Sequence, residues 1–136
     1  MKGLIIFIGE CFRTGEQCSR NCDLPESIEP QKAASLTHVK FITRIKEKYN
    51  MSIDIAINTY KTGNHQLLLS WYNNENILFS QFNEHLMGQQ GLINNALDNK
   101  NLRIETNALI ICIFISTALS LVKMLARFAT PCSVNA

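Results

Sequence analysis

The 136 residues suffice for one ordinary domain with one buried core. At 46% hydrophobic and 18% charged residues, the composition excludes a disordered chain, a collagen-like chain and a coiled coil. A net charge of +2 is too small for the concentrated basic face with which proteins track phosphates, so no nucleic-acid partner is expected.

The first apolar run, Leu4 to Ile8, is continuous and rich in β-branched residues, as in a strand covered on both faces of a parallel sheet. It is too short for a secretory h-region of roughly 7–15 residues. A polar stretch from Glu10 to about Glu26 reads as a long loop. Glu29-Pro30 then opens a helix, because proline at the first helical position gives up no needed N–H. Leu36, Val39, Ile42, Ile45 and Tyr49 recur at helical spacing and predict an amphipathic helix over Gln31–Tyr49. Its Lys40, Arg44, Lys46 and Lys48 read as a solvated face suited to the helix dipole.

Ser52 to Tyr60 alternates Ile53, Ile55 and Ile57 with smaller or polar residues and predicts a second strand. His65–Tyr72 predicts a short helix whose Trp71 and Tyr72 belong to the core, and Ile77–Phe79 a short third strand. Asn83 to Leu97 predicts another helix, weakened by Gly88 and Gly91. The order is that of an α/β fold: a small parallel sheet of three to four strands, flanked by helices and joined by right-handed crossovers.

The front, residues 1–106, reads as one α/β domain, and residues 107–136 as an apolar C-terminal segment. Ala108 to Val122 is uncharged over 15 residues, short of the roughly 20 that span a bilayer as a helix. Letting Lys123 snorkel extends the reach to Ala126 and makes a marginal membrane helix, Ala108–Ala126, one alternative. The other is a buried strand, Leu109–Ile115, favoured by four isoleucines and followed by a helix over Thr117–Phe128.

Cys11, Cys18, Cys22, Cys112 and Cys132 are odd in number and irregular in spacing, which argues for reduced thiols and a cytoplasmic setting. Cys18 and Cys22 invite a zinc reading, but neither a histidine nor a second pair completes four ligands, so no metal site is expected. His38, His65 and His85 show no metal spacing and read as surface or helix positions.

In open parallel sheets, ligands bind outside the carboxyl ends of the strands. After the first strand come Gly9, Glu10 and Arg13. Glycine permits close approach, and Arg13 can fork onto a phosphate, or else pair with Glu10 in a solvated loop. After the second strand, Asn58, Thr59 and Tyr60 offer amide, hydroxyl and phenol groups to a base or sugar.

Leu4-Ile5-Ile6-Phe7-Ile8-Gly9-Glu10-Cys11-Phe12-Arg13, with His38-Val39-Lys40-Phe41-Ile42 and Ile57-Asn58-Thr59-Tyr60, resembles the opening of glycosyltransferase-like proteins of large DNA viruses. The similarity covers roughly residues 3 to 100. It implies the N-terminal half of a nucleotide-diphospho-sugar transferase fold in the host cytoplasm. It further implies a nucleotide sugar held by the first strand-loop, with Arg13 near the diphosphate and Thr59 or Tyr60 near the nucleoside.

Two departures stand out. Cys11 replaces the family's usual serine. The acidic motif that binds Mg²⁺ or Mn²⁺ in intact members is missing after Leu109–Ile115, where Ser116-Thr117-Ala118 follows and no Asp or Glu occurs beyond Glu105. The sequence reading is therefore a truncated or frameshifted, catalytically dead remnant that self-associates through an exposed last strand or apolar patch. The alternative is a small membrane-anchored interaction protein.

Overall fold

The computed structural model describes residues 2–13, 23–100, 102 and 108–118, and the backbone of 121–126. Strands β1 (Lys2–Ile8), β2 (Ser52–Tyr60), β3 (Asn76–Asn83), β4 (Leu109–Phe114) and β5 (Leu121–Ala126) form one sheet in the order β3-β2-β1-β4-β5. The first four are all parallel, and β5 returns antiparallel to β4. Helices α1 (Ile28–Tyr49) and α2 (His65–Ser70) pack on one face, and α3 (Gly88–Leu97) on the other.

This is the expected small parallel sheet flanked by helices, extended by a fifth strand. β1 lies at its centre, and Gly3 to Ile8 are all buried. Ile5 and Phe7 point toward Ile42 of α1, whereas Leu4, Ile6 and Ile8 point toward Leu92, Ile93 and Ala96 of α3. The unbroken apolar run reflects this double coverage, since each fully buried side chain contributes about 1.5–3 kcal/mol.

The structure moves several boundaries. Pro25 opens a 3₁₀ turn, Pro25–Ser27, and α1 starts at Ile28, so Pro30 falls inside its first turn. None of the first four N–H groups has an intrahelical partner, and proline is tolerated there too. Asn50 ends α1 in the left-handed region at φ 48°, its N–H bonded to the Lys46 carbonyl. β3 runs to Asn83, well past Phe79, and α3 begins only at Gly88. Leu36 and Tyr49, expected on the buried face of α1, are 42% and 62% exposed. That face instead carries Gln31, Ala34, Ser35, His38 and Ile42.

The C-terminal segment is corrected most. Leu121–Ala126 is a strand, so neither the helix over Thr117–Phe128 nor the single helix over Ala108–Ala126 is formed. Among the described residues no helix is long and apolar enough to cross a membrane. Leu, Lys, Met and Ala favour a helix locally, but the outer edge of β4 offers a row of backbone donors and acceptors that a returning strand satisfies. β4, the last strand expected from the sequence, is thereby paired on both sides, and β5 takes the edge of the sheet. β4 sits beside β1 within the sheet, so the front and the C-terminal segment share one core.

Candidate functional site

The chain leaves β1 through α1 toward β2 and β3, then returns across the opposite face through α3 to β4. β1 and β4 are neighbours whose connections diverge, which opens a crevice at their carboxyl ends. A cavity of about 280 Å³ lies there. Gly9, Glu10 and Arg13 form the β1 wall and Phe114, Ser116 and Thr117 the β4 wall. Tyr60 and the start of α3, with the exposed Leu86 before it, close the rest.

Gly9 has φ +92°, and a Cβ there would meet Phe114 Cδ1 at 3.0 Å, so the residue serves both conformation and clearance. Arg13 Nε lies 3.5 Å from Glu10 Oε2. Arg13 is 45% exposed, and such a pair is worth at most about 1 kcal/mol, which leaves the guanidinium able to exchange partners. Between them Phe12 is buried in the left-handed region at φ 55°, an uncommon state for a bulky residue that its surroundings must enforce.

The sequence-predicted site residues separate into two groups. Gly9, Glu10, Arg13 and Tyr60 line the crevice together; Asn58 and Thr59 do not. Asn58 Nδ2 donates to the Leu92 carbonyl at 2.8 Å and to Asn95 Oδ1 at 3.1 Å. Asn83 Nδ2 donates to Asn58 Oδ1 at 2.7 Å and to the Thr59 carbonyl at 2.7 Å. This buried amide cluster ties β2 and β3 to α3. Thr59 Oγ1 donates to the Gly9 carbonyl at 2.5 Å, fixing the departure of the chain from β1. Tyr60 keeps its ring in the crevice while its hydroxyl accepts the Met87 N–H at 3.2 Å and steadies the approach to α3.

Sequence reasoning missed the support beneath the crevice. Gln31, Ser35 and His38, at helical spacing on α1, are all buried. Gln31 Oε1 accepts the Phe12 N–H at 2.9 Å, while its Nε2 donates to the Ile115 carbonyl at 2.9 Å and to Ser35 Oγ at 3.2 Å. His38 reaches the Thr117 carbonyl through Nε2 at 2.6 Å and Tyr72 Oη through Nδ1 at 2.8 Å. His38 is thus a helix position, as expected, but a buried one that bonds across to the exit of β4. Burial lowers it to about 4, against the raising effect of the Thr117 and Ala118 backbone, so the ring is neutral near pH 7. The available signal was the recurrence of Gln31, Ser35 and His38 on the Ala34 and Ile42 side of the wheel.

His65 and His85 are exposed, as expected, and Tyr72 is core. Cys11 and Cys112 are buried and outside any disulfide. Burial pushes Cys11 up to about 11, which makes it an inert thiol at neutral pH. Cys18, Cys22 and Cys132 lie outside the described residues.

The crevice does not fit a Mg²⁺ or Mn²⁺ ion bridging a diphosphate. Glu10 is the single carboxylate among its described lining residues, and it faces Arg13. No group of three or more potential metal ligands occurs among the described residues. Comparison with known protein families, curated proteins and solved structures found no match to this chain.

Proposed function

We propose that this protein is a glycosyltransferase-like binding module that takes a nucleotide sugar into the crevice between β1 and β4 without turning it over. The observation that carries the reading is the convergence of Arg13, Glu10, Gly9 and Tyr60 on one cavity at the switch point of a parallel sheet. Arg13 offers a forked cation to phosphate. The first residues of α3, Gly88 and Gln89, line the same space, and a helix N-terminus favours an anion. Glu10 accepts hydroxyls, and the apolar side formed by Leu86, Leu92 and Phe114 suits a base.

Binding without transfer is supported by the donor set, which offers one carboxylate where a metal-bridged diphosphate asks for several. The test is isothermal titration with common nucleotides and nucleotide sugars, combined with a turnover assay for each. Micromolar to millimolar binding that is weakened in Arg13→Ala, with no product formed, is the expected result. Turnover of any donor sinks the non-catalytic reading, and no heat from any of them sinks the binding reading.

A further inference from the structure

We infer that Gln31 is a positioning residue that sets the spacing of the two crevice walls. Its side chain is 2% exposed, and both ends of its amide are used. One end holds the N–H of Phe12, between Glu10 and Arg13 on the β1 wall. The other holds the carbonyl of Ile115, between Phe114 and Ser116 on the β4 wall.

Thr59 and Cys11 tie the β1 loop to β2, with Cys11 Sγ 3.9 Å from the Tyr60 carbonyl. His38 holds Thr117 on the β4 side, its other nitrogen going to Tyr72. Beyond the β1–β4 ladder, which ends at Ile8 and Phe114, the Ile115 N–H bonds the Ile8 carbonyl at 2.8 Å, below the point where the walls separate. The left-handed turn at Phe12 aims its N–H at α1, so the conformation and the bond depend on each other. Ser35 Oγ, 3.2 Å from Gln31 Nε2, holds the amide in the orientation that serves both walls.

The structural core of this inference is independent of any ligand; its consequence for affinity rests on the nucleotide-sugar reading. The deciding experiment is residue-resolved hydrogen exchange of the full chain without ligand, comparing wild type with Gln31→Met. The expected result is exchange at least tenfold faster at Phe12 and Arg13 and also at Ile115 and Thr117, with Ile5 and Ile55 unchanged. Acceleration confined to Phe12 overturns the inference, because it means a local bond and no coupling between walls. Uniform acceleration across the sheet overturns it as well, because it means general destabilisation.

Should Gln31→Met fail to fold, Gln31→Asn keeps a buried amide that is one methylene too short to reach both walls and gives the same readout. Titration separates the two claims. If wild type binds a nucleotide sugar, Gln31→Met binds it about tenfold more weakly, and unchanged affinity removes Gln31 from the site. If wild type binds none, the binding reading fails, and the exchange pattern alone decides the role of Gln31.

Discussion

His38 and Tyr72 share a 2.8 Å hydrogen bond between Nδ1 and Oη, with the imidazole stacked on Phe7 at a centroid distance of 4.6 Å. The other nitrogen, Nε2, faces the Thr117 carbonyl, which can only accept, so Nε2 carries the proton and Nδ1 accepts from the tyrosine hydroxyl. One neutral tautomer therefore satisfies both partners. A second proton would land on Nδ1, where the hydroxyl already donates. Burial opposes it further, just as burial raises the Tyr72 phenol well above its ordinary value.

This geometry makes stability depend on acidity. The folded histidine titrates at about 4 and the unfolded one near 6.5, so between those values the unfolded chain binds a proton that the folded chain does not. Stability is complete above pH 6.5 and falls as the pH drops toward 4, by on the order of 3 kcal/mol from this residue. Urea unfolding at pH 7.5 and 5, in wild type and His38→Gln, reads the effect. Equal pH slopes in the two proteins would rule it out.

Asn58 looks like a ligand contact in the sequence and acts as a tie between β2, β3 and α3 in the fold. Asn58→Leu removes the bonds from Asn58 to the Leu92 carbonyl and Asn95 and leaves one buried Asn83 N–H without its partner, at a cost of about 1–3 kcal/mol. The urea midpoint should fall with the denaturant slope unchanged. A loss below about 0.5 kcal/mol, the ordinary effect of a surface substitution, would show that the cluster contributes nothing.

Gly9→Ala combines a positive φ with a 3.0 Å approach to the Phe114 ring. It should destabilise by about 1–3 kcal/mol, because an L side chain is strained in that region and the ring must yield. Thermal unfolding checks this, and a melting temperature equal to wild type contradicts it.

Arg13→Ala should leave stability within about 1 kcal/mol, since Arg13 is 45% exposed and its Nε lies 3.5 Å from Glu10. Nucleotide-sugar binding should weaken by about 1–3 kcal/mol through loss of a charge-assisted contact. Calorimetric titration of both proteins decides it, and equal affinities would take Arg13 out of the site.

Cys11 is buried and its thiol is pushed up to about 11, so alkylation at pH 8 should proceed only as fast as the fold opens. Peptide-resolved mass spectrometry after iodoacetamide treatment gives the rate. Labelling of Cys11 at the rate of a free thiol in native buffer would show that the loop after β1 is open.

β1 and β2 were legible in the chain because unbroken apolar runs and regularly spaced isoleucines are local signals, the first of them a direct result of burial on both faces. α1 was legible in extent and in part of its buried face, since Val39, Ile42 and Ile45 do pack on the core. Leu36 and Tyr49 satisfied the helical period, yet the face turned inward carries Gln31, Ser35 and His38. Periodicity counts apolar residues, whereas the sheet end beneath α1 presents a backbone N–H and carbonyls that polar side chains must meet.

Four of the six proposed site residues converged on the crevice because strand ends in a parallel sheet lie at one edge. Asn58 and Thr59 share that edge, but their side chains find partners in Asn83, Leu92 and Gly9, and no sequence signal marks such pairs, 25 to 50 positions apart.

By itself the sequence determined a parallel α/β sheet and the strand-end position of Gly9, Glu10, Arg13 and Tyr60, because hydrophobic run length and glycine punctuation are properties of neighbouring residues. Only the tertiary structure decided that Leu121–Ala126 is a strand, that Gln31 and His38 support the crevice, and that Asn58 and Thr59 hold the sheet together. Those outcomes depend on which unpaired backbone and amide groups meet in space, and a strand edge or a buried carbonyl selects its partner by proximity after folding, overriding local propensity.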